Sequence, residues 1–415
     1  MSATGGLAVR SGAFDRRRVR AYDDSMIPAP ELKDAERLLS ELVACPSVNP
    51  SGAPHAGRPY GEAELQHLLG RLLGEWGART TMAEVMPGRY NLIARFAGRD
   101  SGRSLMLEAH ADTVDAEHMA VAAFDPVVEN GRLYGRGSCD TKGAMASMLL
   151  GIRAALDADA TPPVDLYFVA TCGEERGAQG AHALMEGGFR PTAAVVGEPT
   201  DLALVNLHKG ALRWRVTTLG KAAHSSDPTQ GINAISLMAR VIQRIDGTLA
   251  PALAQRSHPL LGPPVISVGL IRGGTQPNTV PARCEIDIDR RLLPSETRES
   301  AHAEIVRELD EMARQDARFR YEIAQTEWYP PMEEDPNSPV AEALSESCRK
   351  VLGAAAFRAA PYGTNGGIFK HHGVPSVVFG PGSARQAHTA DEYVELEQVA
   401  MAARVYADLV RTFGV

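Results

Sequence analysis

Apolar residues recur along the first half of the chain with two spacings, and each spacing predicts one kind of element. Helical spacing of leucines predicts helices at residues 29–43 and 61–76. Short apolar runs predict buried strands at residues 91–96, 105–108, 164–170 and 193–196. Because helices and strands alternate here, the pattern predicts an α/β domain in which helices flank a mixed sheet.

From about residue 201 the pattern changes to alternation. Leu212, Trp214 and Val216 alternate with polar residues, which is typical of a strand in a sheet with one covered face. Further strands are predicted at residues 265–271, 284–290 and 319–323, and helices at residues 231–245 and 296–313. The order strand, helix, strand, strand, helix, strand is the ferredoxin-like layout. We therefore predict one domain at residues 29–201 and 326–415, interrupted by an inserted α+β domain at residues 202–325.

Composition and charge narrow the classes of partner. A net charge of −8 argues against nucleic acid as the main partner, and no apolar run reaches the roughly 18 residues of a membrane span. Residues 1–28 are rich in Arg, Gly and Ala without an apolar segment, so we expect a disordered tail and not a secretory signal. Five cysteines without a CxxC pair fit a reducing compartment. We expect a cytoplasmic protein.

Histidine and acidic residues follow several of the predicted strands. They are His110, Asp140, Glu175, Glu198 and His388. Loops at the carboxyl ends of sheet strands are the expected position of a site in this fold class. Two imidazoles and three carboxylates suffice for a two-metal site in which one carboxylate bridges. This nitrogen and oxygen donor set suits Zn²⁺ and tolerates Co²⁺ or Mn²⁺.

Two neighbours of these residues have predicted supporting roles. Asp112, two residues after His110, is expected to accept a proton from the far imidazole nitrogen and so orient the ring. Glu174, beside Glu175, is the natural general base, because adjacent loop residues can direct one carboxylate to a metal and leave the other free. Paired cations can hold a hydroxide and polarise a carbonyl, which many aminopeptidases use.

Six motifs in order resemble those of the M20 metallopeptidase family. They are LEAHADTVDA, YGRGSCDTKGA, TCGEERGAQGA, VVGEPTD, GKAAHSS and FGPGSARQAHTADEYV. The resemblance runs from about residue 31 to the end. It implies a zinc-peptidase-like catalytic domain and two zinc ions bridged by Asp140. His110 and Glu198 would complete one ion, and Glu175 and His388 the other, with Glu174 as the base.

The resemblance also implies roles outside the metal ligands. His224 would reach the partner subunit's site and stabilise the oxyanion, which implies a homodimer through the inserted domain and a hinge that closes this lid on substrate. Asn278 and Arg291 resemble the family's contacts to the oxyanion and the substrate α-carboxylate, although register leaves the choice between Arg291 and Arg290 open. The segment Gly363-Thr364-Asn365 stands where the family often has an Asp, so recognition of a cationic side chain is in doubt.

These observations favour a di-zinc hydrolase of linear amides, an N-acyl-amino-acid deacylase of the acetylornithine deacetylase or succinyl-diaminopimelate desuccinylase type. In this mechanism a metal-bridging hydroxide attacks the amide carbonyl, Glu174 is the general base and His224 stabilises the oxyanion. An M20-type dipeptidase or carboxypeptidase is the alternative, with a dipeptide as the small-molecule substrate. A metal-free binding protein on the same scaffold is disfavoured, because no ligand and no base is missing.

Overall fold

A computed structural model describes residues 30–50, 57–158, 161–335 and 338–415. The helices are Leu32–Val43 (α1), Ala63–Glu75 (α2), Lys142–Ala158 (α3), Gln179–Glu186 (α4), Ala234–Arg244 (α5), Ala250–Ala254 (α6), Arg298–Gln315 (α7), Pro339–Leu352 (α8), Asn365–His371 (α9) and Leu396–Thr412 (α10). The predicted tail, residues 1–28, lies outside the described residues.

Strands of the first half and of the last fifth of the chain form an eight-stranded sheet, here the large sheet. The eight strands are Arg79–Met86 (β1), Arg89–Phe96 (β2), Asp100–His110 (β3), Val164–Thr171 (β6), Ala193–Val196 (β7), Leu204–His208 (β8), Phe357–Ala360 (β15) and Ser376–Val378 (β16). Two short strands between β3 and β6, Val127–Glu129 (β4) and Arg132–Tyr134 (β5), belong to a separate sheet. The order of the large sheet is β1-β2-β6-β3-β7-β16-β8-β15, with β6, β3, β7 and β16 parallel to one another.

Alternate residues of the central strands enter two different cores. Leu105 and Leu107 of β3 pack in a core that includes residues of α1, α3, α8 and α10. Met106, between them, packs on the other face with residues of α4 and α9. Because both faces are covered by helices, the central strands are apolar at successive positions.

The remaining strands build smaller sheets. They are Gly210–Leu219 (β9), Ala223–His224 (β10), Val265–Gly273 (β11), Thr279–Val280 (β12), Arg283–Leu292 (β13), Arg320–Tyr329 (β14) and Tyr393–Glu395 (β17). The antiparallel order β11-β13-β9-β14 forms the small sheet. One of its faces packs against α5 and α7 around the fully buried Trp214. The predicted fold class, a mixed α/β sheet with an added ferredoxin-like unit, is confirmed.

The division of the chain at residues 202 and 325 stays a prediction, and the sheet pairing bears on both of its ends. β8 lies in the large sheet although it follows residue 202, and β14 continues in the small sheet to Tyr329, past residue 325. We propose that the inserted unit spans residues 210–329. No strand was predicted at β1, because all residues of this edge strand are half-buried or exposed and so show no apolar run. No described helix is both long enough and apolar enough to cross a bilayer.

Candidate metal centre

Three adjacent parallel strands of the large sheet end at one edge and present polar side chains there. β3 ends at His110. β6 is followed by a single 3₁₀ turn, Glu174–Arg176, which carries Glu174 and Glu175. β7 is followed by Glu198. The strand order β6-β3-β7 brings the three endings side by side.

Asp140 and His388 reach the same edge from loops. Asp140 lies between β5 and the start of α3, and His388 lies between β16 and β17. His388 has a φ of 63°, in the left-handed region that a non-glycine residue rarely adopts. Such backbone conformations concentrate at functional sites.

The Asp140 carboxylate lies between the two imidazole rings. Its Oδ1 is 3.0 Å from Nε2 of His110, and its Oδ2 is 3.3 Å from Nε2 of His388. The same His388 nitrogen is 3.1 Å from Oε2 of Glu175. One ligand atom from each of His110, Asp140 and Glu175 lies within 4.8 Å of the other two. Each oxygen of one carboxylate therefore faces a different imidazole, which is the arrangement that a bridging ligand needs.

The electrostatics of this cluster fit cations. Burial raises the pKa of Glu174 and of Glu198 well above the usual range, and neighbouring carboxylates raise it further. Hydrogen bonds to Asp140 and Glu175 raise the pKa of His388 to about 11. Four carboxyl groups crowd a buried space, and divalent cations would relieve their repulsion. The donors are nitrogen and oxygen without thiolate, a set that suits zinc.

The main-chain carbonyl of Asp112 orients the His110 ring, whereas the prediction assigned this contact to the Asp112 carboxylate. Nδ1 of His110 lies 2.9 Å from the carbonyl oxygen of Asp112, whereas the nearer carboxylate oxygen of Asp112 is 3.7 Å away. Asp112 thus holds the ring through its main chain. Its side chain turns away because it accepts three other hydrogen bonds.

Those three hydrogen bonds connect Asp112 to the turn with the predicted base. Oδ1 accepts from the amide of Glu174 at 2.9 Å, and Oδ2 accepts from the amide of Glu175 at 3.0 Å. The Asn49 side-chain amide donates to Oδ2 at 2.7 Å. A buried carboxylate with charge-assisted hydrogen bonds fixes both glutamates relative to His110.

Two further residues, Glu62 and Tyr329, bind the main chain of the Glu174–Arg176 turn and its flanking glycines. The amide of Gly173 donates to Glu62 at 3.1 Å, and Glu62 is fully buried and paired with Arg89. The Tyr329 hydroxyl accepts from the amide of Gly177 at 2.6 Å and donates to the carbonyl oxygen of Glu174. Tyr329 is the last residue of β14, so the turn is tied to both sheets.

Glu392 holds the loop of Asp140 in the way that Asp112 holds the turn of Glu174 and Glu175. It is buried, and its carboxylate accepts from the amides of Gly137, Cys139 and Asp140 at 2.9–3.0 Å. Arg136 donates to it at 2.6 Å. No role was predicted for Glu392, although it stands four residues after His388 in the last of the six motifs.

A cavity of about 500 Å³ opens between the two sheets beside this cluster. Its lining residues are Val114, Asp140, Glu174, Glu175, Glu198, Pro199, Ala211, Arg213, Arg291, Tyr329, Tyr362, Gly363, Ala384, Ala387 and His388. The large sheet and its loops supply the acidic groups, and the small sheet supplies both arginines. A ligand in the cavity would contact both units.

Arg290 and Arg291, between which the sequence alone could not decide, lie on opposite sides of β13. Arg291 lines the cavity. Arg290 points to the opposite side of β13, where it is 1 % exposed and donates to Glu296 at 2.6 Å and to Glu304 at 2.5 Å. Arg290 is thus a structural residue and Arg291 the available one.

Of the predicted segment Gly363-Thr364-Asn365, only Gly363 lines the cavity. Thr364 is buried with its hydroxyl 3.1 Å from Nε2 of His208. Asn365 is buried and donates to Glu108 at 2.9 Å. The prediction that Thr364 and Asn365 contact substrate therefore does not match their positions, because both turn inward at the start of α9.

His224 and Asn278 lie away from the cavity of the described chain. His224 is the last residue of β10 and pairs with Thr279 of β12, and Asn278 lies in the turn immediately before β12. The backbone oxygen of Asn278 accepts from Ser225 at 3.0 Å. Both side chains are exposed, and Nδ1 of His224 is 2.8 Å from the Ser226 hydroxyl.

Comparison with known sequences identifies relatives over most of the chain. A sequence model of peptidase family M20/M25/M40 matches residues 106–412. An acetylornithine deacetylase of Edwardsiella ictaluri is 32% identical over 91% of this chain and 97% of its own length.

Solved structures share the fold. A tripeptidase of Staphylococcus aureus superposes with a TM-score of 0.74 at 23% identity, covering 93% of this chain and 99% of that one. A Bacillus subtilis protein described as a dinuclear metal binding peptidase superposes with a TM-score of 0.66 at 18% identity, covering 91% and 97%.

Proposed function

Since the chain belongs to peptidase family M20/M25/M40, we propose that it is a di-zinc hydrolase that deacylates an N-acyl amino acid. The single observation that carries the proposal is the Asp140 carboxylate between His110 and His388. The acyl-amino-acid class is supported by the name of the Edwardsiella ictaluri relative, acetylornithine deacetylase.

The residues of the cluster would hold two cations. Asp140 would bind both, with His110 and Glu198 on one side and Glu175 and His388 on the other. Bound cations supply a Lewis acid for the amide carbonyl and lower the pKa of the attacking water. Asp112 and Glu392 are not ligands themselves. Their carboxylates accept hydrogen bonds from main-chain amides of the loops that carry the ligands, and so hold these loops in place.

Glu174 is the proposed general base. Its side chain lines the cavity, and its backbone is fixed by Asp112 and Tyr329. The carboxylate would take a proton from the water that attacks the amide carbon and return it to the leaving amine nitrogen, so that no net proton is consumed at Glu174. Arg291, on the opposite wall, would bind the substrate α-carboxylate through its guanidinium fork.

A second copy of the chain supplies the remaining group. His224 is exposed and outside the cavity of its own chain, so a role in oxyanion stabilisation requires the cavity of a partner. β11 is an edge strand of the small sheet and exposes Val265, Leu270 and Ile271. An apolar edge strand favours pairing with another copy, which supports a homodimer through this unit.

Hydrolysis assays on zinc- and cobalt-loaded protein test the proposal. N-acyl amino acids and dipeptides would be compared, and Glu174→Gln would be compared with Glu186→Gln, which removes an exposed carboxylate on α4. We expect release of free amino acid by the wild type and by Glu186→Gln, and loss of most turnover with full metal content for Glu174→Gln. Turnover of dipeptides alone would favour a peptidase, and metal-free protein that binds ligands without cleaving them would refute the hydrolase.

A further inference from the structure

Arg213 lies on the cavity wall, and the proposed reaction does not use it. It belongs to β9, where Leu212 and Trp214 point into the core of the inserted unit. Strand alternation therefore directs Arg213 to the opposite face, together with Ala211, which also lines the cavity. The next residue on that face, Arg215, lies outside the lining of the cavity.

The carboxylate of Asp289 joins Arg213 to Arg291. Nε of Arg213 donates to Oδ2 of Asp289 at 2.7 Å, and Nε of Arg291 donates to Oδ1 at 2.8 Å. Glu327, across β9 from Asp289, accepts from Nη1 of Arg213. Two guanidinium groups are thus positioned side by side by acids that do not line the cavity themselves.

Both guanidinium groups keep donors for a ligand. Arg291 uses only Nε within the described residues, which leaves both terminal nitrogens. Arg213 uses Nε and Nη1 there, which leaves Nη2. Their side chains are 28% and 30% exposed, so each is held in place and still reaches the cavity. Guanidinium donors that are positioned before binding lose little entropy when a carboxylate arrives.

The two acids beside these arginines, Asp289 and Glu327, are already bonded to them and do not line the cavity. Apart from the four carboxyl groups of the metal centre, the described lining residues include no Asp or Glu. Asn365, where an acid was considered, is buried and bonded to Glu108. An ornithine side chain would therefore find no counter-charge beyond the metal ligands and the base.

We propose that Arg213 and Arg291 together select a substrate with two carboxylates: an N-acyl amino acid with a second carboxylate in its side chain or in its acyl group. Arg291 takes the α-carboxylate and Arg213 the second one. The inference rests on the proposed function for its substrate class. It separates this chain from relatives named for acetylornithine, whose side chain is cationic.

Matched substrates test the selection and locate the second carboxylate. N-acetylglutamate and N-acetylglutamine differ only in side-chain charge, and N-succinylglutamine adds a carboxylate to the acyl group. For the wild type we expect kcat/KM about 10- to 100-fold higher for one dicarboxylate than for N-acetylglutamine, the range of a charge-assisted hydrogen bond. N-acetylornithine should be poorer still. Equal rates for all four, or a preference for ornithine, would overturn the proposal.

Variants of the two arginines of β9 show whether Arg213 is responsible. Arg213→Gln should lose the preference, whereas Arg215→Gln should retain it, because Arg215 makes the same kind of pair, with Asp287, outside the cavity. Arg213→Gln removes the hydrogen-bonded partner of Glu327 and leaves it only the more distant Arg176, at 3.8 Å. The double variant Arg213→Gln with Glu327→Gln removes this imbalance of charge and serves as the second variant. A preference that persists in both Arg213 variants would contradict the assignment.

A binding measurement decides the inference without catalysis. Calorimetry on zinc-loaded protein would compare glutarate with butyrate, which lacks the second carboxylate. Glutarate should bind about 10-fold more tightly to the wild type and to Arg215→Gln, but no more tightly than butyrate to Arg213→Gln. If no amide is hydrolysed but this difference appears, the proposed function fails and the two-carboxylate site stands. If amides are cleaved but glutarate and butyrate bind equally, the proposed function stands and the two-carboxylate site is refuted.

Discussion

The hydroxyl of Tyr329 donates to the carbonyl oxygen of Glu174 and accepts from the amide of Gly177, so it holds both ends of the turn with the proposed base. Tyr329 is the last residue of β14, the strand by which the chain leaves the inserted unit. The ring is 5 % exposed and lies 5.8 Å from the guanidinium carbon of Arg213. The position of the base therefore depends on the position of the small sheet.

Tyr329→Phe should lower kcat about 10-fold and change KM less than twofold, because the hydroxyl is bonded to Glu174 and Gly177 and so positions the base. Steady-state kinetics on protein of verified metal content would measure it. Tyr321→Phe is the matched control, since Tyr321 also lies on β14 but donates to Asp310 far from the cavity. An equal loss in both variants would indicate a general effect on the strand.

Asp112→Asn should lower kcat about 100-fold, because an amide side chain cannot accept from the amides of both Glu174 and Glu175. Asp115→Asn, three residues later and exposed, should keep normal rates. Kinetic assays with metal analysis would separate the two cases. If Asp112→Asn retained wild-type kcat, the carboxylate would have no part in fixing the turn.

His208→Gln should change the acid stability of the fold. Burial lowers the pKa of His208 to about 4, so the folded protein keeps this ring neutral while the unfolded chain protonates it near pH 6.5. The unfolded state then binds the extra proton between these values, and stability falls as the pH drops from about 6.5 to 4, by up to about 3 kcal/mol. Denaturant unfolding at several pH values should show a smaller fall in His208→Gln, and the wild-type fall in His67→Gln, which removes an exposed histidine.

Mixed dimers test whether His224 acts across subunits. His224→Ala should cut kcat about 10²- to 10³-fold at full metal content. Mixing it with Glu174→Gln should restore part of the activity, because one site of each hybrid then has an intact base and an intact histidine from the partner subunit. Absence of recovery in verified heterodimers would place His224 outside the partner's site.

The sequence predicted those features that depend on a residue and its immediate neighbours. His110 and Glu198 were found because each follows a buried apolar run, and the end of such a strand is a fixed place in the sheet. Arg291 could not be separated from Arg290 until the pairing of β13 was known, since one residue of register exchanges the two faces.

Contacts between segments that are far apart in the chain could not be predicted, because no pattern of neighbouring residues indicates them. Tyr329 and Glu174 are 155 residues apart, and Glu392 and Asp140 are 252 apart. The inward rotation of Asn365 depends on Glu108, which lies on a different strand. Pattern analysis identifies the residues on such segments but gives no distance between them.

The central claim is that two cations share the Asp140 carboxylate, and metal analysis with a crystal structure of the zinc-loaded protein tests it most directly. We expect two zinc ions per chain with one oxygen of Asp140 on each, and fewer than two ions bound to Asp140→Asn. A single ion, or two ions that Asp140 does not bridge, would contradict the account.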